Sequence, residues 1–274
     1  MSDEDIAMPK PRLLLFSDLD GTLLDHDSYD WSPAKPALER LAASNIPVVL
    51  NSSKTAGEIR AVRERLGNTA PFIVENGAAV VIPANCFGPG PEQVQSFGAS
   101  RDEVLALLKE CRAEGFRFRS FADMSTAELA GHASLSESEA ELAKDRAGTE
   151  PLLWEGDEDS LARFRQKLDD NDCRLVQGGR FLHAMGTFDK ADGVRFLLGK
   201  YREHFVQDRL IAIALGDSPN DQHMLEEADI AVIVRGVHSE SVSLPSQSRA
   251  IRSIKAGPEG WNECVLNLLI EYGY

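Results

Sequence analysis

Short apolar runs alternate with segments whose apolar residues recur at helical spacing. Leu13-Leu14-Leu15-Phe16, within residues 12–17, is a continuous apolar run of strand length. Residues 34–43 carry apolar groups every three or four positions, and Ser32-Pro33 supplies a helix start signal. A second strand is predicted over 46–51. A second helix is predicted over 55–66, ended by Gly67, and a third strand over 72–74, before the turn-forming Glu75-Asn76-Gly77. This β-α-β-α-β order predicts a parallel sheet with crossover helices.

Near residue 84 the pattern changes to a Gly- and Pro-rich loop, NCFGPGPEQ. Beyond it, helices are expected over 101–113, 136–145 and 158–169. Strands are expected over 116–119, 151–154, 173–177 and 180–185. Residues 124–150 are rich in Ala, Glu and Ser and read as ending in a charged loop. Alternation of strand and helix then resumes: helix 189–201, strand 210–215, helix 221–228, strand 230–234 and helix 261–272. The expected class is α/β, a Rossmann-like parallel-sheet core with an inserted α+β domain. The core would comprise residues 10–84 and 187–274, and the insert residues 85–186.

Composition narrows the picture. The 274 residues suffice for one large domain or two smaller ones. The net charge of −15 lacks the basic footprint that nucleic acid requires and disfavours an anionic membrane surface. No apolar run approaches the roughly 20 residues needed to span a bilayer. The leader MSDEDIAMPKPR is acidic where a signal peptide is basic and then apolar, so it is expected to be a loose lead-in. Cys86, Cys111, Cys173 and Cys264 are widely spaced, which predicts free thiols and a cytoplasmic protein.

Candidate chemistry lies beyond the carboxyl ends of the strands, where open parallel sheets bind ligands. Asp18-Leu19-Asp20-Gly21-Thr22 follows the first strand, and Asn51-Ser52-Ser53-Lys54 the second. Asp189-Lys190 opens a helix, and Gly216-Asp217-Ser218-Pro219-Asn220-Asp221 follows the strand 210–215. In extended backbone Asp18 and Asp20 point the same way. With Asp217 and Asp221 they make four carboxylates that a hard cation, Mg2+, would neutralise. Lys54 and Lys190 add positive charge, and Ser52 and backbone amides can donate to phosphate. Such a set suits phosphoryl transfer. Plainer readings exist for each part. Ser52 or Ser53 could cap the helix 55–66, and Asp217 or Asp221 the helix 221–228. Lys190 could be an exposed helix-start lysine, Lys54 a solvated one.

These four stretches, in this order, resemble the motifs of the haloacid dehalogenase-like hydrolases, and the insert resembles their type 2 cap. SKTAGEI (53–59), PFIVENGAAVVIP (71–83), GGRFLHAMG (178–186) and GDSPNDQHML (216–225) further resemble the mannosyl-3-phosphoglycerate phosphatase family. The resemblance implies that Asp18 is the nucleophile and Asp20 the general acid and base, also ligating metal through its carbonyl. Asp217 and Asp221 would serve the metal, and Ser52 and Lys190 the transferring phosphoryl group. Ser53, Lys54 and Asn220 are further substrate-binding candidates. In the insert, Gly179, Arg180 and His183 are candidates for the sugar or its carboxylate. Arg offers a fork that matches a carboxylate, although Arg180 could equally start a surface strand and His183 be a core histidine. The implied substrate is a small phosphorylated sugar, a glycosyl-3-phosphoglycerate. Broader sugar-phosphate phosphatases of the Cof or sucrose-phosphate type share every core motif. A phosphomannomutase-like transferase and a non-catalytic sugar-phosphate binder are the remaining alternatives.

Overall fold

In a computed structural model, residues 10–178, 180–245 and 249–274 are described, and the acidic leader up to residue 9 and Gly179 lie outside them. In chain order the elements are β1 (Arg12–Ser17), α1 (Lys35–Ala43), β2 (Val48–Asn51), α2 (Ala56–Leu66), β3 (Phe72–Val74), β4 (Ala79–Ile82) and β5 (Gln93–Ser96). Then come α3 (Arg101–Ala113), β6 (Phe118–Ser120), α4 (Thr126–Ala133), α5 (Glu137–Lys144), β7 (Thr149–Trp154), α6 (Glu158–Asp169), β8 (Cys173–Gln177) and β9 (Leu182–Gly186). The chain closes with α7 (Lys190–His204), β10 (Leu210–Gly216), α8 (Gln222–Glu226), β11 (Ile230–Arg235), β12 (Arg249–Ala256) and α9 (Gly257–Glu271). The fold is α/β, with a mixed, largely parallel sheet and a separate antiparallel sheet.

Two compact units divide the chain: one runs up to Val49 and resumes over Arg195–Tyr274, and the other is Leu50–Val194. In the first, the strands lie in the order β12-β11-β10-β1, all parallel. Leu13 to Phe16 and Ile211 to Leu215 are buried without interruption, as expected where both sheet faces are covered. Helix α9 buries Trp261 completely, and its indole N–H donates to Ser17 Oγ (2.9 Å).

In the second unit the end of β2 pairs in parallel with β3, after which β4 and β5 return antiparallel. The antiparallel sheet has the order β6-β7-β9-β8. Helices α3 and α6 cover it through a core that includes Val104, Leu108, Phe118, Leu152, Phe164 and Leu168. All four cysteines are free.

Several expectations need correction. Strands β4, β5 and β12 and helix α4 were not anticipated, and the turn after β3 makes the sheet mixed rather than parallel throughout. The helix expected over 221–228 splits into a 3-10 turn, Pro219–Asp221, and the short α8. The closing helix starts at Gly257, four residues before the expected 261, because Pro258 fits the first turn.

Candidate active site

In the unit that holds β1 and β10, the site begins where those strands end. Asp18 N–H donates to Leu215 O (2.9 Å), so the parallel ladder carries one residue past β1 and fixes the Asp18 backbone. Ser17 Oγ donates to the Asp18 carbonyl (2.7 Å). The chain then turns sharply: Thr22 N–H and Leu24 N–H both donate to Leu19 O, at 3.1 and 2.8 Å, and Gly21 takes φ +83°. That turn aims Thr22 Oγ1 at Asp217 Oδ1 (2.9 Å), which settles one oxygen of the aspartate that follows β10.

Asp221 is fully buried one turn later. Its Oδ2 accepts from Asp217 N–H (3.1 Å) and Ser218 N–H (3.2 Å). The carboxylate thus caps the 3-10 turn that carries Asn220, whose Oδ1 accepts from Ser218 Oγ. Neither aspartate caps the helix that follows: Asp221 is the N-cap residue of α8 but makes no side-chain cap bond to it, and its carboxylate holds the preceding 3-10 turn instead.

Asp18, Asp217 and Asp221 are all buried, and one oxygen from each lies within 4.8 Å of the others. At that separation repulsion between carboxylates is on the order of a few kcal/mol per pair even in a polarisable interior. The donors are hard oxygens, and the walls are bare: a Cβ on Gly21 would stand 2.7 Å from Asp217 Oδ2, and one on Gly236 2.6 Å. A compact set of hard oxygen donors in a space cleared by glycines fits Mg2+, which takes one or two carboxylates and keeps waters and phosphate oxygens as its other ligands. Asp20, two residues on, is half-buried and stands outside this trio.

In the other unit, Ser52 follows β2 and is buried. Its N–H donates to Ile73 O (3.2 Å), its carbonyl accepts from Asn76 N–H (2.9 Å) and its Oγ accepts from Lys54 N–H (3.2 Å). Ser53 O accepts from Arg146 Nη2 (2.7 Å), and Lys54 O from Glu75 N–H (2.9 Å). Neither serine caps α2. The cap is Thr55, whose Oγ1 accepts from Glu58 N–H (3.2 Å) while Glu58 Oε2 accepts from Thr55 N–H (2.8 Å).

Lys190 opens α7 with only 1% of its surface exposed, so the solvated-lysine reading fails. Its carbonyl accepts from Asn51 Nδ2 (3.0 Å), which joins the start of α7 to the end of β2. Asp189 secures the helix start: its Oδ1 accepts from Ala191 N–H, and its N–H donates to Asp192 Oδ2, both at 2.8 Å.

Of the candidates from the inserted segment, Gly179 lies outside the described residues, and Arg180 and His183 differ in surroundings. Arg180 is exposed and donates to Ser134 Oγ (2.8 Å), between α4 and α5. His183 lies on β9, buried, with no hydrogen-bond partner for Nδ1 among the described residues. Burial, and then the nearby Arg146 charge, push its pKa down to about 3. Lys54 is half-buried.

Thr22 bonds Asp217 in one unit, and Arg146 bonds Ser53 O and Thr149 in the other; none of Thr22, Arg146 and Thr149 was singled out for a role. Thr22 was readable, since a hydroxyl four residues after an acidic strand end is a natural partner for a second carboxylate. Arg146 and Thr149 gave no signal within a segment that reads as a charged loop.

The chain is an α/β protein with a buried carboxylate trio at the ends of adjacent parallel strands, a set of hard oxygen donors. The profile of the haloacid dehalogenase-like hydrolases matches residues 15–241, and the chain belongs to that family. Solved structures share the fold at low identity. A protein from Thermoplasma acidophilum superposes with a TM-score of 0.66 at 17% identity, covering 96% of this chain and 99% of its own. The sucrose-phosphatase of Synechocystis sp. PCC6803, solved with sucrose and phosphate, gives 0.63 at 15%, covering 96% and 98%. A subclass IIB sugar phosphatase of the superfamily gives 0.62 at 17%, covering 95% and 98%. No helix among the described residues is long and apolar enough to cross a membrane.

Proposed function

We propose that the protein is a Mg2+-dependent phosphatase that hydrolyses the phosphate ester of a glycosyl-3-phosphoglycerate, with mannosyl-3-phosphoglycerate as substrate and mannosylglycerate as product. The observation that carries this reading is the meeting of Asp18, Asp217 and Asp221, from stretches almost 200 residues apart, in a chain of this hydrolase family. The segments 53–59, 71–83 and 178–186 favour the glycosyl phosphoglycerate over other sugar phosphates.

In this proposal an Asp18 carboxylate oxygen attacks phosphorus, and the bond from phosphorus to the glycerate oxygen breaks. Asp20 gives that oxygen its proton. Asp20 then takes a proton from water as the water oxygen attacks the aspartyl-phosphate, which frees inorganic phosphate and restores Asp18. Asp18, the Asp20 carbonyl, Asp217 and Asp221 would hold Mg2+, which would offset the charge of the phosphoryl oxygens. Ser52 would donate to those oxygens, and Lys190 would add the compensating charge. Thr22 holds the Asp217 carboxylate in one orientation, as outer hydrogen bonds do for metal ligands. Asn220, Ser53 and Lys54 are proposed to line the substrate path, with Gly179, Arg180 and His183 toward the sugar. The core, 10–84 and 187–274, and the cap, 85–186, remain the proposed division of labour. The cytoplasm is the proposed compartment.

Two of the fold relatives are named as a sucrose-phosphatase and a sugar phosphatase, which favours a second, broader reading: a general sugar-phosphate phosphatase. One panel separates the two. Phosphate release with Mg2+ is measured on mannosyl- and glucosyl-3-phosphoglycerate, sucrose phosphate and hexose phosphates, with Asp18→Asn as the inactive control. The glycosyl phosphoglycerates are expected to have the highest kcat/KM. Equal or better turnover of hexose phosphates would replace the specific reading with the broader one. Phosphate transfer to a second sugar in place of release would mark a mutase.

A further inference from the structure

Glu75 sits in a position that its sequence does not advertise. Three successive residues, Glu75, Asn76 and Gly77, have positive φ, at 51°, 58° and 99°. Left-handed backbone is unfavourable for a glutamate, so the turn exists because other bonds hold it there. Its backbone grips the loop after β2, through Glu75 N–H to Lys54 O and Asn76 N–H to Ser52 O, both at 2.9 Å. A Cβ on Gly77 would overlap the Asp189 carbonyl, so this turn also lies hard against the start of α7 at Lys190.

The Glu75 side chain faces the other way. It is 1% exposed and accepts from Ala147 N–H (2.7 Å), Gly148 N–H (3.2 Å), Thr149 N–H (3.0 Å) and Thr149 Oγ1 (2.8 Å). Arg146 Nε stands 3.5 Å away as its ion-pair partner and also donates to Thr149 Oγ1 (2.8 Å), while Arg146 Nη2 reaches Ser53 O (2.7 Å). Four donors and the Arg146 charge hold the carboxylate against segment 146–149, buried from solvent.

We infer that Glu75 is a positioning residue: one buried carboxylate fastens segment 146–149 to the Ser52–Lys54 loop and to the start of α7, so that the groups proposed to meet the phosphoryl oxygens are set by a residue that does not touch them. For its kinetic consequence the inference rests on the phosphatase reading; the fastening itself does not.

The test is Glu75→Gln, which keeps the shape, sets an NH2 group against amide donors and leaves the Arg146 charge buried without its partner. Amide hydrogen exchange is followed in wild type and variant by mass spectrometry. Peptides covering 50–56 and 145–150 are both expected to exchange roughly tenfold faster or more, with peptides from β10 and β11 unchanged. On mannosyl-3-phosphoglycerate with Mg2+, kcat is expected to fall on the order of 10²-fold, with KM little altered and Glu75→Asp intermediate. Faster exchange confined to 145–150, or an unchanged kcat in a turnover-competent protein, would overturn the inference. If Glu75→Gln does not fold, Thr149→Val removes one donor to Glu75 and the acceptor of Arg146 Nε and is expected to shift the same two peptides by a smaller factor; no shift at 50–56 would overturn it equally. Wild-type protein inert toward every phosphorylated sugar would refute the phosphatase reading, and the exchange result alone would then decide whether Glu75 fastens the loop.

Discussion

Asp217 is held on one oxygen by Thr22, and its carboxylate lies with those of Asp18 and Asp221, where like charges repel unless they are offset. Mg2+ should therefore stabilise the fold: at a concentration about 100 times its dissociation constant it should add about 2.7 kcal/mol to unfolding. Thermal denaturation of wild type with and without Mg2+ checks this. Asp217→Asn should lose most of that gain, and its metal-free midpoint should lie above the metal-free wild type because one repulsive charge is gone. His183 gives a second prediction. Unfolded, it protonates near 6.5; folded, it stays neutral down to about 3. Between those values the unfolded chain binds the extra proton, so His183 costs stability progressively as pH falls from 6.5 toward 3 and contributes no pH dependence above that range. Urea midpoints of wild type and His183→Asn should diverge across that window, with wild type the more acid-sensitive. Asp18, Asp217 and Asp221 were legible because paired acidic groups at the ends of apolar strands make sense only together. The bonds from the Glu75 carboxylate to residues 147–149 were not, since a glutamate before Asn-Gly looks like an ordinary turn residue.

Elements were legible where burial and period agreed. Helix α3 is found over Arg101–Ala113 and α6 over Glu158–Asp169, as their apolar spacing predicts, because each lays one stripe on the antiparallel sheet. Strand β12, with the sequence RAIRSIKA, is largely exposed and carries its charged residues outward, so nothing in its hydropathy marked it. Helix α4 did leave a signal. Ser125 with Glu128, and Ser136 with Glu139, are capping boxes three residues wide, and both form. Reading the segment as Ala/Glu/Ser-rich missed the first of them. The turn at Gly77 yields an element-level prediction. Gly67, the C-cap of α2, has φ +62° and nothing within 4 Å of an added Cβ. Gly67→Ala should therefore cost only the left-handed backbone term, about 1 kcal/mol. Gly77→Ala adds overlap with Asp189 O, and its urea midpoint should fall well below that of Gly67→Ala.

At the scale of the molecule, the net charge of −15 had a clear sequence meaning, and it carries a physical cost. Like charges on a folded surface repel at low ionic strength, and raising monovalent salt from ~10 to ~150 mM shortens the Debye length from about 30 to about 8 Å. The thermal midpoint should rise over that range in the absence of Mg2+; a flat or falling midpoint would mean that paired surface charges outweigh the excess. The α/β class was readable from the order of apolar runs, and the change of pattern near residue 84 marks the proposed core and cap, whereas the compact units divide at other points. The chain passes from one unit to the other between Val49 and Leu50, inside β2, and between Val194 and Arg195, inside α7. A gene cut at those points would sever a buried strand and a helix, leaving each product with a torn edge and no natural end. Each junction lies inside a regular element, so a chain ended there would leave part of β2 or α7 with backbone groups that have lost their partners.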